Sequence, residues 1–333
     1  MNYKKIGVIG AGSWGTALAV LLGEHGIPIA LWGHNAEHIA ALKSDRENKI
    51  YLSGVKLADN IQPTASLSDV TDSDVILMVS PSRATREVME KIAATAPSCG
   101  AIFLSCTKGI ERGSGARMSE IIAASFPKNH VAVLSGPSHA EEVSRQMPTA
   151  VVIGAGEEAI AQDLQQAFSS KYFRAYTSDD VAGIELGGAL KNIFAIAAGM
   201  SDGMGLGDNS KAALVTRSLA ELVRLGVALG GRRETFQGLS GIGDLMVTCF
   251  SKYSRNRGFG EKLGRGESVA DAGKSMTMIV EGVPTTLSAC ECARKAALST
   301  PIIDQIHAVL YENKSPREAM HHLLTRDPRP EED

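Results

Sequence analysis

In the first half of the chain, short apolar runs alternate with longer stretches in which apolar positions recur at helical spacing. The runs fall at residues 5–10 (KIGVIG), 27–32 (IPIALW), 74–80 (DVILMVS), 101–106 (AIFLSC), 131–136 (VAVLSG) and 150–155 (AVVIGA), with a weaker one at 172–177 (YFRAYT). Most are apolar at successive positions, not every second one. That is the pattern of parallel strands covered by helices on both faces. Between them, stretches such as TALAVLLGEHG and REVMEKIAATA read as helices. The alternating order predicts an α/β fold built on a doubly wound, mostly parallel sheet.

Beyond residue 179 the strand pattern stops. Helical patterns follow at 180–199, 209–230, 256–264, 284–297, 301–311 and 315–324. Ser315-Pro316 supplies an N-cap followed by proline at the first helical position. The sequence therefore divides into an α/β domain, 1–179, and an all-helical domain, 180–333.

Composition narrows the function. At 44% hydrophobic and 21% charged over 333 residues, the chain can build ordinary globular cores. Its 34 basic and 37 acidic residues, for a net charge of -3, argue against a general nucleic-acid or membrane-coating surface. An anionic ligand would need a local group of cations. No stretch reads as a signal peptide or as a membrane span of the usual length, so a cytoplasmic protein is expected. The five cysteines, Cys99, Cys106, Cys249, Cys290 and Cys292, lack a disulfide framework spacing and fit a reducing compartment. Cys290 and Cys292 lie two apart in a helical stretch and point different ways, so no metal site is expected.

Gly10-Ala11-Gly12-Ser13-Trp14-Gly15 carries the G-x-G-x-x-G spacing between the first strand and the first helix. In that context it predicts a Rossmann-like dinucleotide site. Gly10 permits the tight turn, Gly12 lets the backbone approach a pyrophosphate, and Gly15 allows close helix packing. The helix N-terminus offers free N–H donors. An NAD-selective site carries an acid at the end of the second strand; here that place reads Gly33-His34-Asn35. With no carboxylate to repel a 2′-phosphate, the expectation is NADP(H), or use of both NADP(H) and NAD(H). The loop at Pro81-Ser82 should also lie near the cofactor, by its position after a strand.

Lys191 stands inside GGALKNIFAIAAG, residues 187–199, an otherwise apolar and small-residue helix. A buried ammonium is costly without a compensating partner. Three of its helical neighbours, Gly187, Gly188 and Ala195, have little or no side chain, which would leave room for a metabolite beside the ammonium. The alternative is a lysine that snorkels to solvent along a buried helix. The following stretch, MSDGMGLGDNSKAA, reads as a glycine-rich loop.

Four blocks, in one order, carry a family resemblance. They are Cys106-Thr107-Lys108-Gly109; Leu134-Ser135-Gly136-Pro137-Ser138; Gly188-Ala189-Leu190-Lys191-Asn192 with Gly199, Asp202-Gly203, Gly207, Asn209-Ser210 and Ala213; and Gly238-Leu239-Ser240-Gly241 through Gly243-Asp244-Leu245, Thr248-Cys249 and Ser254-Arg255-Asn256-Arg257-Gly258. The chain resembles the NAD(P)-dependent glycerol-3-phosphate dehydrogenases, bacterial biosynthetic type, from about residue 4 to about residue 325. The resemblance implies reduction of dihydroxyacetone phosphate to sn-glycerol 3-phosphate by hydride from NAD(P)H, for glycerophospholipid synthesis.

It also implies roles. Lys191 matches the catalytic lysine, and a lysine in a desolvated pocket can move a proton near neutrality. Asp244 matches an active-site acid; from the sequence alone it reads equally as a helix cap. Ser254, Arg255 and Asn256 match residues at the substrate phosphate, although KYSRNRGFGEK alone reads as a solvated helix start. Lys108 matches a residue near both substrate and cofactor. Gly136 and Ser138 are placed at the substrate. Ala140, Ile279, Glu281 and Arg255 join Gly10, Gly12, Ser13, Trp14, Gly15 and His34 at the cofactor. His139 stands where family members carry an aromatic residue, and reads either as a second proton donor or as a packed ring. A homodimer is expected, because two-fold assemblies are the commonest. Other readings are a different two-domain dehydrogenase, of 3-hydroxyacyl or 6-phosphogluconate type, and a non-catalytic nucleotide sensor.

Overall fold

In the computed structural model, which describes residues 3–331 except 96, 98, 99, 277 and 329, the apolar runs become the strands of one sheet. Cys99 lies outside the described residues. In chain order the strands are β1 (Ile6–Ile9), β2 (Ile29–Trp32), β3 (Glu47–Asn48), β4 (Leu52–Lys56), β5 (Ile61–Thr64), β6 (Val75–Met78), β7 (Ile102–Ser105), β8 (Val131–Ser135), β9 (Thr149–Ala155) and β10 (Phe173–Ser178). The main sheet has the order β10-β9-β8-β7-β6-β1-β2-β5. From β5 through β1 to β8 every neighbouring pair is parallel. This is the doubly wound arrangement, with its switch point between β1 and β6, where the chain departs to opposite sides.

Three details depart from the sequence reading. First, β5 carries no apolar run. Its Pro63 lacks an N–H, which an edge strand tolerates. Second, β3 and β4 form a separate hairpin. Buried Asn48 ties it to the glycine loop, donating to the Ala11 carbonyl at 3.0 Å and to Thr16 Oγ1 at 2.7 Å. Third, β9 runs antiparallel to β8 and β10 follows it in parallel. The link from β8 to β9 carries only the short helix Ala140–Val143, not the full crossover helix a parallel return needs.

After β10, Asp180 caps the helix Val181–Gly203, accepting from the Gly183 N–H at 3.0 Å. Its other oxygen accepts from the Arg232 N–H at 2.9 Å and Thr235 Oγ1 at 2.5 Å. The helix is buried from Gly183 to Ser201 and forms the axis of the helical half. It extends past residue 199, so much of the expected glycine-rich loop is helical. The reason is a helix crossing. A Cβ on Gly199 would lie 1.9 Å from the Arg257 carbonyl, and one on Gly260 would lie 2.0 Å from that of Ile196. Glycine here serves close approach between Val181–Gly203 and the helix Arg255–Gly264. That gain outweighs the roughly 1 kcal/mol that each glycine costs a helix.

The absence of any span-length apolar stretch also needs correcting. Val181–Gly203 is long and apolar enough to cross a membrane, with a mean hydropathy of 1.4. However, 89% of that window is buried inside the protein. Its Glu185 is a buried tie to the sheet half, accepting from the Ser119 N–H at 2.9 Å, from Ser119 Oγ and from Arg117 Nη1 at 3.0 Å.

Candidate active site

The glycine turn follows β1 and opens the helix Ser13–Gly23. Gly10 has φ +124°, and a Cβ there would sit 2.7 Å from the Val79 carbonyl. A Cβ on Gly15 would fall 1.8 Å from the Gly10 carbonyl, so the helix can enter at this angle only with glycine there. A Cβ on Gly12 meets nothing within 4 Å; that side of the turn faces open space. No acid lies in the first helical turn and no side chain caps it, so its N–H donors are available to an anion. Nearby, the buried Ser80 hydroxyl has no partner among the described residues. These features fit a dinucleotide pyrophosphate. Ser13 is buried and points Oγ at Met278 Sδ, 3.8 Å away. Trp14 packs against Leu52, Val55 and Ala140. His34 is exposed just past the end of β2, and neighbouring Asn35 is committed to capping the next helix through the His38 N–H.

Lys191 does not snorkel. It is 5% exposed, and its ammonium donates to Asp244 Oδ1 and to Thr248 Oγ1 at 2.8 Å. Asp244 is fully buried, and its other oxygen, Oδ2, accepts from Lys108 Nζ at 2.6 Å. Lys108 also donates to the Gly136 carbonyl at 3.1 Å. One carboxylate thus bridges two ammonium groups, from the loop after β7 and from the central helix. Asp244 opens the helix Asp244–Phe250 without capping it. Thr248, one turn on, donates its own proton to the Asp244 carbonyl at 2.6 Å, which turns its lone pair toward Lys191.

The glycines behind Lys191 do not clear room for a ligand, as the sequence suggested. A Cβ on Gly187 would meet the Ser240 carbonyl at 2.4 Å, and one on Gly188 would meet Ser135 Oγ at 2.4 Å. They let the central helix press against the end of β8 and the turn Leu239–Gly243. That pressing brings Lys191 and Lys108 to one acid. Gly136, at φ +127°, turns the chain out of β8, and Ser138 Oγ donates back to its carbonyl at 3.0 Å.

On the helical side, buried Ser254 caps Arg255–Gly264 through the Arg257 N–H at 3.2 Å. Buried Asn256 donates to Asn192 Oδ1 at 2.9 Å and accepts from the Gly282 N–H at 2.8 Å, so its side chain is a structural link between three helices. Arg255 is exposed, with Nη1 3.5 Å from the Ile279 carbonyl. Glu281 accepts from Ser82 Oγ at 2.6 Å and from the Ser82 N–H at 3.2 Å, joining the helical half to the loop after β6. Burial raises its pKa, and the Ser82 hydrogen bonds oppose the rise.

Electrostatics set what the centre can do. Desolvation lowers the Lys191 pKa to about 7; Asp244 acts to raise it and Lys108 to lower it further. An ammonium has three N–H donors. Lys191 commits two of them, to Asp244 and Thr248, and Lys108 commits two, to Asp244 and Gly136. Each retains one for a ligand oxygen. The sequence reading quoted Thr248 and Asn192 without giving either a role, and missed Ser82's bond to Glu281 and Glu185 altogether. Thr248 was legible as the residue one helical turn beyond Asp244.

Comparison with known proteins places the chain in a family. A family model described as the NAD-dependent glycerol-3-phosphate dehydrogenase N-terminus matches residues 5–161, and the corresponding C-terminus matches residues 180–321. A Geobacter sulfurreducens protein named glycerol-3-phosphate dehydrogenase (NAD(P)+) is 45% identical over 328 residues, covering 97% of this chain and 98% of its own. A Moorella thermoacetica protein of the same name is 47% identical over 324 residues, covering 97% and 96%. The crystal structure of glycerol-3-phosphate dehydrogenase from Coxiella burnetii superposes with a TM-score of 0.94 at 37% identity, covering 97% of this chain and 99% of that one. The chain belongs to the NAD(P)-dependent glycerol-3-phosphate dehydrogenase family.

Proposed function

We propose that this chain reduces dihydroxyacetone phosphate to sn-glycerol 3-phosphate with NAD(P)H, supplying glycerophospholipid synthesis, and that Lys191 delivers the proton. The observation that carries the roles is the buried Asp244 shared between Lys191 and Lys108. A ketone that receives hydride at carbon must receive a proton at oxygen. The nicotinamide supplies the hydride when bound. Lys191, near its midpoint at neutral pH, gives a proton to the nascent alkoxide through its uncommitted N–H. Asp244 and Thr248 hold the ammonium in place, and Lys108 adds positive charge where the oxyanion develops. With both lysines charged against one carboxylate the centre is net positive, which suits an anionic substrate. The division of labour assigns the glycine-turn end of the cofactor to residues 1–179 and the catalytic lysine to 180–333, with Arg255, Ile279 and Glu281 reaching the cofactor and Lys108, Gly136 and Ser138 the substrate across that boundary.

The test is NADPH and NADH oxidation by the purified protein with a substrate panel. Turnover is expected with dihydroxyacetone phosphate and not with 3-oxoacyl thioesters. Preference for the thioesters, or cofactor binding without turnover of any member, contradicts the reading.

Arg255 reads the substrate phosphate in this proposal: Nη1 reaches the Ile279 carbonyl, and the remaining N–H groups of the guanidinium are left for a bidentate pair. Arg255→Gln is expected to raise the KM for dihydroxyacetone phosphate about 10–100-fold, from charged hydrogen bonds worth about 1.5–3 kcal/mol. Any activity on unphosphorylated dihydroxyacetone should fall far less. Equal losses on the two substrates would remove Arg255 from the phosphate.

His34 faces solvent at the strand end where an adenosine ribose lies in this fold. His34→Asp introduces a carboxylate that accepts from ribose hydroxyls and repels a 2′-phosphate. Two like charges about 4 Å apart at an effective dielectric near 20 repel by about 4 kcal/mol before screening. Exposure reduces that, so the NADPH/NADH ratio of kcat/KM should fall about 10–100-fold. An unchanged ratio places His34 away from the ribose.

The assembly is taken as a cytoplasmic homodimer. The buried free thiols Cys106, Cys249, Cys290 and Cys292 fit a reducing compartment, and sedimentation at working concentration reads the assembly state directly.

A further inference from the structure

Lys108 stands on the loop after β7, between two fixed points. The Cys106 N–H still bonds the Met78 carbonyl at 2.8 Å, and the Ile110 carbonyl accepts from Ser288 Oγ at 3.0 Å. Among the described residues, 107–109 make no backbone–backbone hydrogen bond of their own. A lysine carries its charge on a flexible four-carbon stem. A head that must meet one buried carboxylate therefore needs its backbone fixed by other means.

Its two neighbours in the chain supply them. Thr107 Oγ1 donates to the Ser80 carbonyl at 2.8 Å and lies 3.2 Å from that of Met78, so its hydroxyl carries the contact between β6 and β7 past the end of their ladder. Gly109 packs directly on Ser82: a Cβ there would fall 2.3 Å from Ser82 Cβ and 2.7 Å from its Oγ. Gly109 does not have a positive φ, so glycine serves close approach here, not backbone freedom. Ser82 is itself held from the helical half, donating through Oγ and N–H to Glu281. Beyond its own loop, the Lys108 ammonium meets Asp244 Oδ2 at 2.6 Å and the Gly136 carbonyl at 3.1 Å.

We propose that Thr107 and Gly109 are positioning residues that hold Lys108 against Asp244 from either side, by anchoring its loop to the loop after β6. The proposal rests on the reading of Lys108 as the cation beside a proton-carrying Lys191.

That reading supplies a readout which general loosening would not move. Reduction needs the Lys191 ammonium, so activity falls as pH rises through about 7, and Lys108 acts to lower that pKa. The other charged group acting on Lys191 is Asp244. His139, from the loop after β8, is neutral at working pH, because burial first and the Lys191 ammonium next lower its pKa to about 4. Burial pushes the Cys249 thiol up to about 12, so it is neutral too. A Lys108 that drifts from the centre should therefore send the falling limb to higher pH.

Thr107→Val keeps the branched shape and loses the hydroxyl; Gly109→Ala pushes the loop off Ser82. Each is expected to lower kcat for dihydroxyacetone phosphate about tenfold, within the range that a small misplacement costs, and to move the limb up by about half a pH unit. Thr107→Ser keeps the hydroxyl and should keep the wild-type limb. In a Lys108→Met background, Thr107→Val should move the limb no further, because the two act through one group. NADPH binding by fluorescence shows that each variant is folded, and Thr107→Val decides alone if Gly109→Ala does not fold. A limb that Thr107→Val leaves in place while Lys108→Met moves it, or an equal shift in the Lys108→Met background, overturns the proposal and leaves the reaction standing. A limb that Lys108→Met itself leaves in place overturns the reading of Lys108 and this proposal with it.

Discussion

Lys191→Met is expected to lower kcat for dihydroxyacetone phosphate reduction by about 10²–10⁴-fold, the range that a positioned proton donor contributes. Methionine keeps the unbranched stem and the helix. Asp244 keeps Lys108, so the substitution does not strand a buried carboxylate. The turn at Gly10–Gly15 lies on the other half of the chain, and NADPH affinity should stay within about twofold, as for distant sites without shared partners. Stopped-flow reduction with saturating NADPH reads the chemical step. Retention of more than about a tenth of the wild-type rate takes the proton away from Lys191.

The second large effect falls on stability. Asp244→Ala removes the only carboxylate hydrogen-bonded to Lys191 and Lys108 among the described residues. Removing one partner of a buried pair costs about 3–5 kcal/mol where the other stays charged, and less where Lys191 sheds its proton, since losing Asp244 lowers its pKa further. Lys108 is partly exposed and can relax toward water; Lys191 cannot. Urea unfolding should show a loss that grows as pH falls below about 7, and Asp244→Ala/Lys191→Met should recover part of it there, because the buried ammonium is gone. A double variant no more stable than Asp244→Ala alone would show that the carboxylate acts elsewhere.

The sheet was legible because strands covered on both faces leave continuous apolar runs, and the glycine spacing is a local requirement of one turn. Strand β5 was not, because its residues after Ile61 are Gln62, Pro63 and Thr64, which make no apolar run although three of its four positions are buried. Lys191 was conspicuous as a charge in an apolar helix. The meaning of its glycine neighbours was not, because small residues look alike whether a metabolite or a backbone fills the space beside them. The bond from Lys108 to Asp244 spans 136 positions and has no local signature. Asn256 shows the same limit: its block matched the family, but its side chain is spent on Asn192 and Gly282.

The central claim is that Lys191 carries the proton with a pKa set by Asp244 and Lys108, and the pH dependence of kcat/KM for dihydroxyacetone phosphate reduction tests it most directly. Reduction needs the ammonium form, so activity should be highest below the Lys191 pKa and fall as pH rises through about 7. Lys108 acts to lower that pKa, so Lys108→Met should move the falling limb to higher pH, whatever it does to the absolute rate. Asp244→Asn should move it to lower pH, because Asp244 acts to raise it. Opposite shifts of one limb are the predicted result. A limb that both substitutions leave in place, or activity that rises with pH through this range, contradicts the account.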